Sequence, residues 1–285
     1  YFLGAVGISL VALAFTDVDR YVVAQVLPLE LIALFHIGAR ITQSANRLLA
    51  ASNTAIQPEV TRLHTEGRAT DADTLARMFL KFSVAVGVLV AFSIGVFARD
   101  LIILVASVSY TPAVPLVIML AACIPIVTAT APLTTVMKAT DQVRGALRVD
   151  LAWAIVYVAL IAVLGPMLDL TGIGLASLAA CVVQLVLAVR ISTLSIDLRF
   201  VGRVLASILV GVCVAMLPLL VVMALIDTGS GGLSLVIRVV LFLVGCVVYP
   251  ALLKVLRVFD ENEKERIKTV LRKSGFGGLA SVLWR

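Results

Sequence analysis

Apolar runs of about 20 residues recur along this chain, separated by short connectors rich in proline, glycine and charge. A membrane core about 30 Å thick needs about 20 apolar residues of helix to cross it, so this pattern constrains the fold more than any motif. Eight candidate spans emerge, at roughly 1–27, 29–57, 76–97, 112–137, 149–168, 172–194, 204–226 and 234–256. The connectors carry breakers where turns are needed, at Pro28, Pro58, Gly67, Gly165-Pro166, Gly172 and the glycines from Gly229 to Gly232. Only 14% of the 285 residues are charged and 61% are hydrophobic. A soluble domain carries about 25% charged residues. The expected fold is an all-α polytopic membrane protein.

The net charge of +6 does not point to nucleic acid, because the basic residues sit in alternate connectors. Arg62, Arg68, Arg77 and Lys81 fall in one, Lys138, Arg144 and Arg148 in the next, Arg190, Arg199 and Arg203 in a third, and more lie in the tail. The intervening connectors hold little beyond Arg99 with Asp100, Asp169 and Asp227. Excess Lys and Arg mark cytoplasmic loops, so the first span is expected to start in the cytoplasm and the C-terminal tail to return there. The four cysteines, Cys123, Cys181, Cys213 and Cys246, lie in apolar runs without metal-ligand spacing and read as unpaired core residues. The chain opens at Tyr1 inside an apolar run, which reads as the C-terminal part of a longer protein.

The second span is too polar to face lipid on all sides. His36, Arg40, Gln43 with Ser44, Arg47, Ala51 and Thr54 recur at three- and four-residue steps and share one helical face. Leu34, Ile37, Ile41, Leu48 and Ala55 fall on another. At 1.5 Å per residue, Arg40 lies roughly 16 Å and Arg47 roughly 27 Å from the start of the helix. A lipid-facing arginine at mid-membrane costs about 2.5–3.5 kcal/mol. The stripe therefore faces a polar cavity or helices that carry countercharge. The first span holds such charges in TDVDR, with Asp17, Asp19 and Arg20. If the chain turns at Pro28, Asp17 and Asp19 lie level with His36 and Arg40. Two readings stay open: an ion pair that neutralises Arg40, or acids that answer a coupling cation and leave Arg40 free. Arg47 has no acid at its level, and its alternative is snorkelling toward the cytoplasmic side.

These features, in order, resemble the second half of bacterial polysaccharide and oligosaccharide flippases of the Wzx type. Those belong to the multidrug/oligosaccharidyl-lipid/polysaccharide exporter superfamily. VDRYVVAQVLP looks like the first helix of that half, NTAIQPEVTRLHTEGR like its helix end and cytoplasmic loop, and SYTPAVPLVIMLA like the entry to a later helix. The stretch from Lys138 to residue 189 looks like the hairpin that follows. Glu59 and Gln184 depart from the family pattern.

The resemblance implies a six-helix bundle over 1–194, the second lobe of a two-lobe flippase. Two further helices over 195–256 and a cytoplasmic amphipathic tail over 257–285 would complete the chain. It implies translocation of lipid-linked oligosaccharide across the bacterial cytoplasmic membrane by alternating access, for cell-surface polysaccharide export. The partners it implies are a polyprenyl-pyrophosphate-linked oligosaccharide, the bilayer and a first helix bundle of the same protein.

Arg20, Arg40 and Arg47 are the candidate cationic wall for the headgroup, since guanidinium forks suit phosphate oxygens. Gln43, Ser44, Asn46 and Asn53 are candidates for sugar hydroxyls. Asp17, Asp19 and His36 are the candidates for a coupling ion. No catalytic triad, nucleotide loop or metal-ligand pattern occurs, so no catalytic residue, cofactor or metal is expected. A peptidoglycan-precursor flippase and a drug or cation antiporter of the same superfamily are the neighbouring alternatives. A membrane glycosyltransferase rests only on the lone D-x-D of Asp17 and Asp19, without the soluble domain such sites need.

Overall fold

The computed structural model describes residues 21–54, 57–140, 142–192, 196–226, 240, 242–245, 248–249 and 253. Asp17, Asp19, Arg20, Cys246, most of the eighth span and the tail over 257–285 lie outside the described residues. Every described regular element is helical. The chain divides into two compact units, Tyr1–Leu198 and Arg199–Arg285.

In the first unit, residues 21–26 form the described end of α1, and the chain turns at Leu27-Pro28. There follow α2 (Leu29–Thr54), α3 (Gln57–Thr65), α4 (Ala69–Val96), α5 (Ala98–Val105), a 3₁₀ turn over Val108–Ala113, α6 (Val114–Ala139) and α7 (Val143–Ile191). Among the described residues, three stretches are long and apolar enough to cross a membrane, Thr70–Val96, Val108–Ala139 and Val143–Ile191; α2, at the expected span 29–57, is too polar to be one of them. At 49 residues Val143–Ile191 is far too long for one crossing. It breaks at Asp169, whose φ of 51° and ψ of −132° are non-helical. The two arms fold back on each other: a β-carbon at Gly145 would touch Ile191, and Gln184 bonds Asp150 across 34 positions. The expected spans at 149–168 and 172–194 are thus one antiparallel hairpin. Its first arm begins six residues earlier than expected, taking Arg144 and Arg148 into the helix.

α6 is the hub of the unit and packs against α2, α3, α4, α5 and α7. Small residues allow the close approaches. A β-carbon at Gly87 of α4 would overlap Thr128 of α6, one at Gly174 of α7 would meet Met119, and one at Gly38 of α2 would press on Leu116 and Val117. Between membrane helices, association rests on this close fit and not on exclusion of water. One apolar cluster joins Phe35 and Ala39 of α2 to Leu116 of α6 and to Tyr157, Ile161 and Ile173 of α7. A second joins Ile94 of α4 and Ile102 of α5 to Val117 and Ile124 of α6, with Ile37 and Ile41 of α2 packed on it.

Where the sequence suggests a loop, Gln57–Thr65 is a helix. Pro58 and Glu59 occupy its first turn, Arg62 and His64 its last, the arrangement that suits the proline ring and the helix dipole. It ends on Gly67 at φ 72°. The amide of Gly67 donates to His64 and that of Arg68 to Leu63, the paired bonds of a Schellman cap. Arg62 bridges Glu59 at 2.6 Å and Glu66 at 3.1 Å, and Arg68 bridges Asp71 at 2.8 Å. The hydrogen bonds that Arg62 donates to the Glu59 carboxylate, then the charge of that carboxylate, raise the guanidinium pKa above its ordinary value.

α3 packs on α6, and Gly145 lies beside Met137 and Ile191. Arg62, Lys138, Arg144 and Arg190 therefore gather at one end of the unit. Asp169 and the Pro28 turn lie at the other, where Gly165 meets Val26.

In the second unit, α8 (Leu198–Ile226) buries Val201, Val204, Ile208 and Val212 at helical spacing. Cys123 and Cys181 are buried as expected, but Cys213 of α8 is exposed, because it stands one position off that stripe.

Candidate functional site

The helical period of α2 separates two faces. Phe35, Gly38, Ala39 and Thr42 are buried. Thr42 meets its polar need inside the helix, donating its hydroxyl to the carbonyls of Gly38 and Ala39 at 3.1 and 3.2 Å. Ala33, His36, Arg40, Ser44 and Arg47 are exposed and lie one above another. The spacing of seven residues puts Arg47 on the same side as Arg40, about 10 Å further along the axis. Leu48 is an exception to the expected apolar face. It is 78% exposed, because its angular position lies beside Ser44 and Arg47.

Among the described residues, neither Arg40 nor Arg47 forms a salt bridge. The ring of His36 sits 5.7 Å from that of Phe35, tilted by 58°. Ser44 donates its hydroxyl to the Arg40 carbonyl at 2.8 Å. Its oxygen can still accept a hydrogen bond, but its proton is engaged within the helix. Gln43 is half-buried at the edge of the stripe.

Asn46 stands apart from the arginines. It is half-buried toward the packed side, and its Oδ1 is closed off from solvent without a hydrogen-bond partner. Asn53 belongs to the last turn of α2. Asp17, Asp19 and Arg20 lie outside the described residues, and with them the question of an acid opposite Arg40.

The resulting surface presents two permanent cations, an imidazole and accepting oxygens in an otherwise apolar bundle. Guanidinium groups can hold phosphate oxygens through two parallel bonds, whatever the pH. Among the described residues, no group of three or more His, Cys, Asp and Glu side chains is placed to hold a metal ion.

A second polar site was not expected from the sequence. Gln184 Nε2 of the second α7 arm donates to Asp150 Oδ1 of the first at 3.2 Å, and both side chains are half-buried. The available signal was a single polar residue in each of two apolar runs, VDLAWAIV and ACVVQLVLAV. Which residue pairs with which depends on the hairpin register.

No protein-family model matches the chain, and no curated protein matches it. Solved structures do. The lipid II flippase MurJ in an inward closed conformation superposes with a TM-score of 0.63 at 15% identity, over 85% of this chain and 50% of that one. An outward-facing multidrug resistance MATE family transporter of the MOP superfamily gives 0.56 at 14%, over 94% and 65%. A MATE protein in the straight conformation gives 0.55 at 15%, over 95% and 66%. This chain thus spans half the length of MurJ and just under two thirds of each MATE transporter. At such identities the likeness is one of fold alone: the chain is an all-α polytopic membrane protein whose fold resembles that of these three solved membrane proteins.

Proposed function

We propose that the chain serves to translocate a lipid-linked oligosaccharide across a bacterial cytoplasmic membrane by alternating access, in the export of cell-surface polysaccharide. The exposed pair Arg40 and Arg47 carries this reading. Two permanent cations on one face of a membrane helix need an anion, and a polyprenyl pyrophosphate supplies one while its tail stays in lipid. The fold shared with a lipid II flippase supports it.

In this reading residues 1–194 are one six-helix lobe, and α2 lines a cavity closed on its far side by a second bundle. Residues 195–256 add two helices, and the basic end of the first unit, with the tail over 257–285, faces the cytoplasm. Arg20 joins the cationic wall, Gln43, Ser44, Asn46 and Asn53 take the sugars, and Asp17, Asp19 or His36 answers a coupling ion.

Drug export is the second reading, favoured by the MATE transporters, whose fold covers more of this chain. The charge on α2 opposes it, since a cationic face repels the cationic solutes an acidic cavity would attract.

The test is flipping of a fluorescent polyprenyl-pyrophosphate oligosaccharide by the full-length protein in proteoliposomes. Excess lipid II and a cationic dye are the competitors. Inhibition by lipid II alone supports a shared pyrophosphate site. Dye efflux without oligosaccharide flipping overturns the proposal in favour of the antiporter.

A further inference from the structure

The corner between α5 and α6 lies at the end of the first unit that holds Asp169 and the Pro28 turn, because α6 runs from this corner to Lys138 at the basic end. It is apolar and uncovered. Ile103, Leu104, Val105 and Val108 are exposed, Leu104 by 82% and Val108 by 63%. Ala106, Ser107 and Ser109 beside them are exposed too. The buried side of α5 is Ala98 and Ile102, one turn apart, which cluster with Val117 and Ile124 of α6. From Leu101 to Met137 the sequence holds no charged residue. The other two described corners at this end each expose a carboxylate, Glu30 and Asp169.

Length sets the level of this corner. A crossing takes about 20 residues of helix. Counted from Lys138, α6 has completed one by Ile118, and counted from Arg77, α4 has completed one at its end. The corner therefore stands past two finished crossings, level with lipid headgroups. Arg99, exposed at the start of α5, is at that level as well, and its guanidinium suits phosphate oxygens. A straight continuation of α4 would carry Leu104 about 7 Å further out, into water. The line is interrupted at Phe97, whose φ of −98° and ψ of 15° separate α5 from α4. α5 packs on α2, on α6 and on the 3₁₀ turn that follows it.

An exposed apolar patch of this kind marks a surface that meets a partner. A protein partner would call for a polar rim, and this stretch carries no charge. The boundary between headgroups and acyl chains fits better, since a helix lying there sinks one apolar face among the chains. Tyr110, half-buried in the 3₁₀ turn, is a residue type that favours that layer. We propose that the α5 corner is an interfacial anchor, with Leu104, Val105 and Val108 inserted into the leaflet at the end of the unit opposite the basic residues. Its role is independent of which molecule is transported.

The test uses the full-length protein with Cys213 and Cys246 replaced by alanine. Leu104→Cys, Val108→Cys and Glu30→Cys are each labelled with an environment-sensitive fluorophore. Cys123 and Cys181 are buried, and the background without an added cysteine supplies the blank. Each protein is placed in phosphatidylcholine vesicles with one of two quenchers: lipid bearing a nitroxide near the carbonyl end of its acyl chain, or iodide on both sides of the membrane. Labels at 104 and 108 should emit further to the blue than the label at 30. They should lose emission to the nitroxide lipid and keep it in iodide, with the opposite order at 30. Iodide quenching at 104 and 108 as strong as at 30 overturns the anchor. A blue-shifted label that neither quencher reaches overturns it too, because protein then covers the corner. If one of the two variants fails to accumulate, the other carries the same comparison.

Discussion

Gly87 of α4 lies against Thr128 of α6 so closely that a β-carbon at position 87 would overlap the threonine Oγ1 and Cγ2. Thr128 is held there, because its hydroxyl donates to the Pro125 carbonyl at 3.0 Å and the residue is buried. Gly87→Ala is expected to destabilise the bundle by about 1–3 kcal/mol, the usual cost of overfilling a packed interior. Thermal unfolding of the purified protein in detergent measures it. Adding Thr128→Ala should recover part of the loss, because the two effects are coupled through one contact. An unchanged melting temperature for G87A would show that the helices can part without penalty.

Asp169 joins the two α7 arms with φ at 51° and ψ at −132°, a region that L-residues with a β-carbon seldom enter. Such a residue stores about 1–3 kcal/mol of strain. Its side chain is exposed, so little packing is lost on its removal. Asp169→Gly should therefore raise the melting temperature, and a fall would place the strain elsewhere.

Arg40 and Arg47 share one exposed face of α2, about 10 Å apart along its axis. Under the proposed function, Arg40→Ala and Arg47→Ala each reduce the flipping rate about tenfold or more, the scale of a lost charge-assisted bond. Both variants should keep their abundance and melting temperature, since neither guanidinium forms a salt bridge among the described residues. Lysine at either position should restore only part of the rate, because an ammonium cannot make the two-pronged contact. Full activity in both alanine variants would end the assignment.

Arg62 bridges two carboxylates on the surface of the first unit, Glu59 and Glu66. The pairs are exposed and local to one helical turn, so water and salt screen them. Arg62→Ala should leave the melting temperature unchanged within error. Gly67→Ala, two residues past the end of α3, should lower it by comparison. Position 67 has φ at 72°, and a side chain there opposes the cap that closes the helix.

The membrane class, the span positions from 76 to 194 and the polar stripe of α2 are legible in the sequence because each depends on local periodicity. An apolar run must cross a bilayer, and residues at three- and four-step spacing must share a face, whatever surrounds them. The break between the α7 arms was legible too, from the Gly165-Pro166 to Gly172 punctuation, although its residue, Asp169, was not. α3 escaped notice because its stability comes from a glycine cap and from packing on α6, and its apolar pattern is too short to count. Leu48 and Asn46 fell on unexpected sides of α2 because the borders of a helical face depend on which helices flank it. The fit of Gly87 to Thr128 and the bond from Gln184 to Asp150 were decided only by the tertiary structure. Contacts between residues 34 or 41 positions apart depend on helix register, which composition and local spacing do not set.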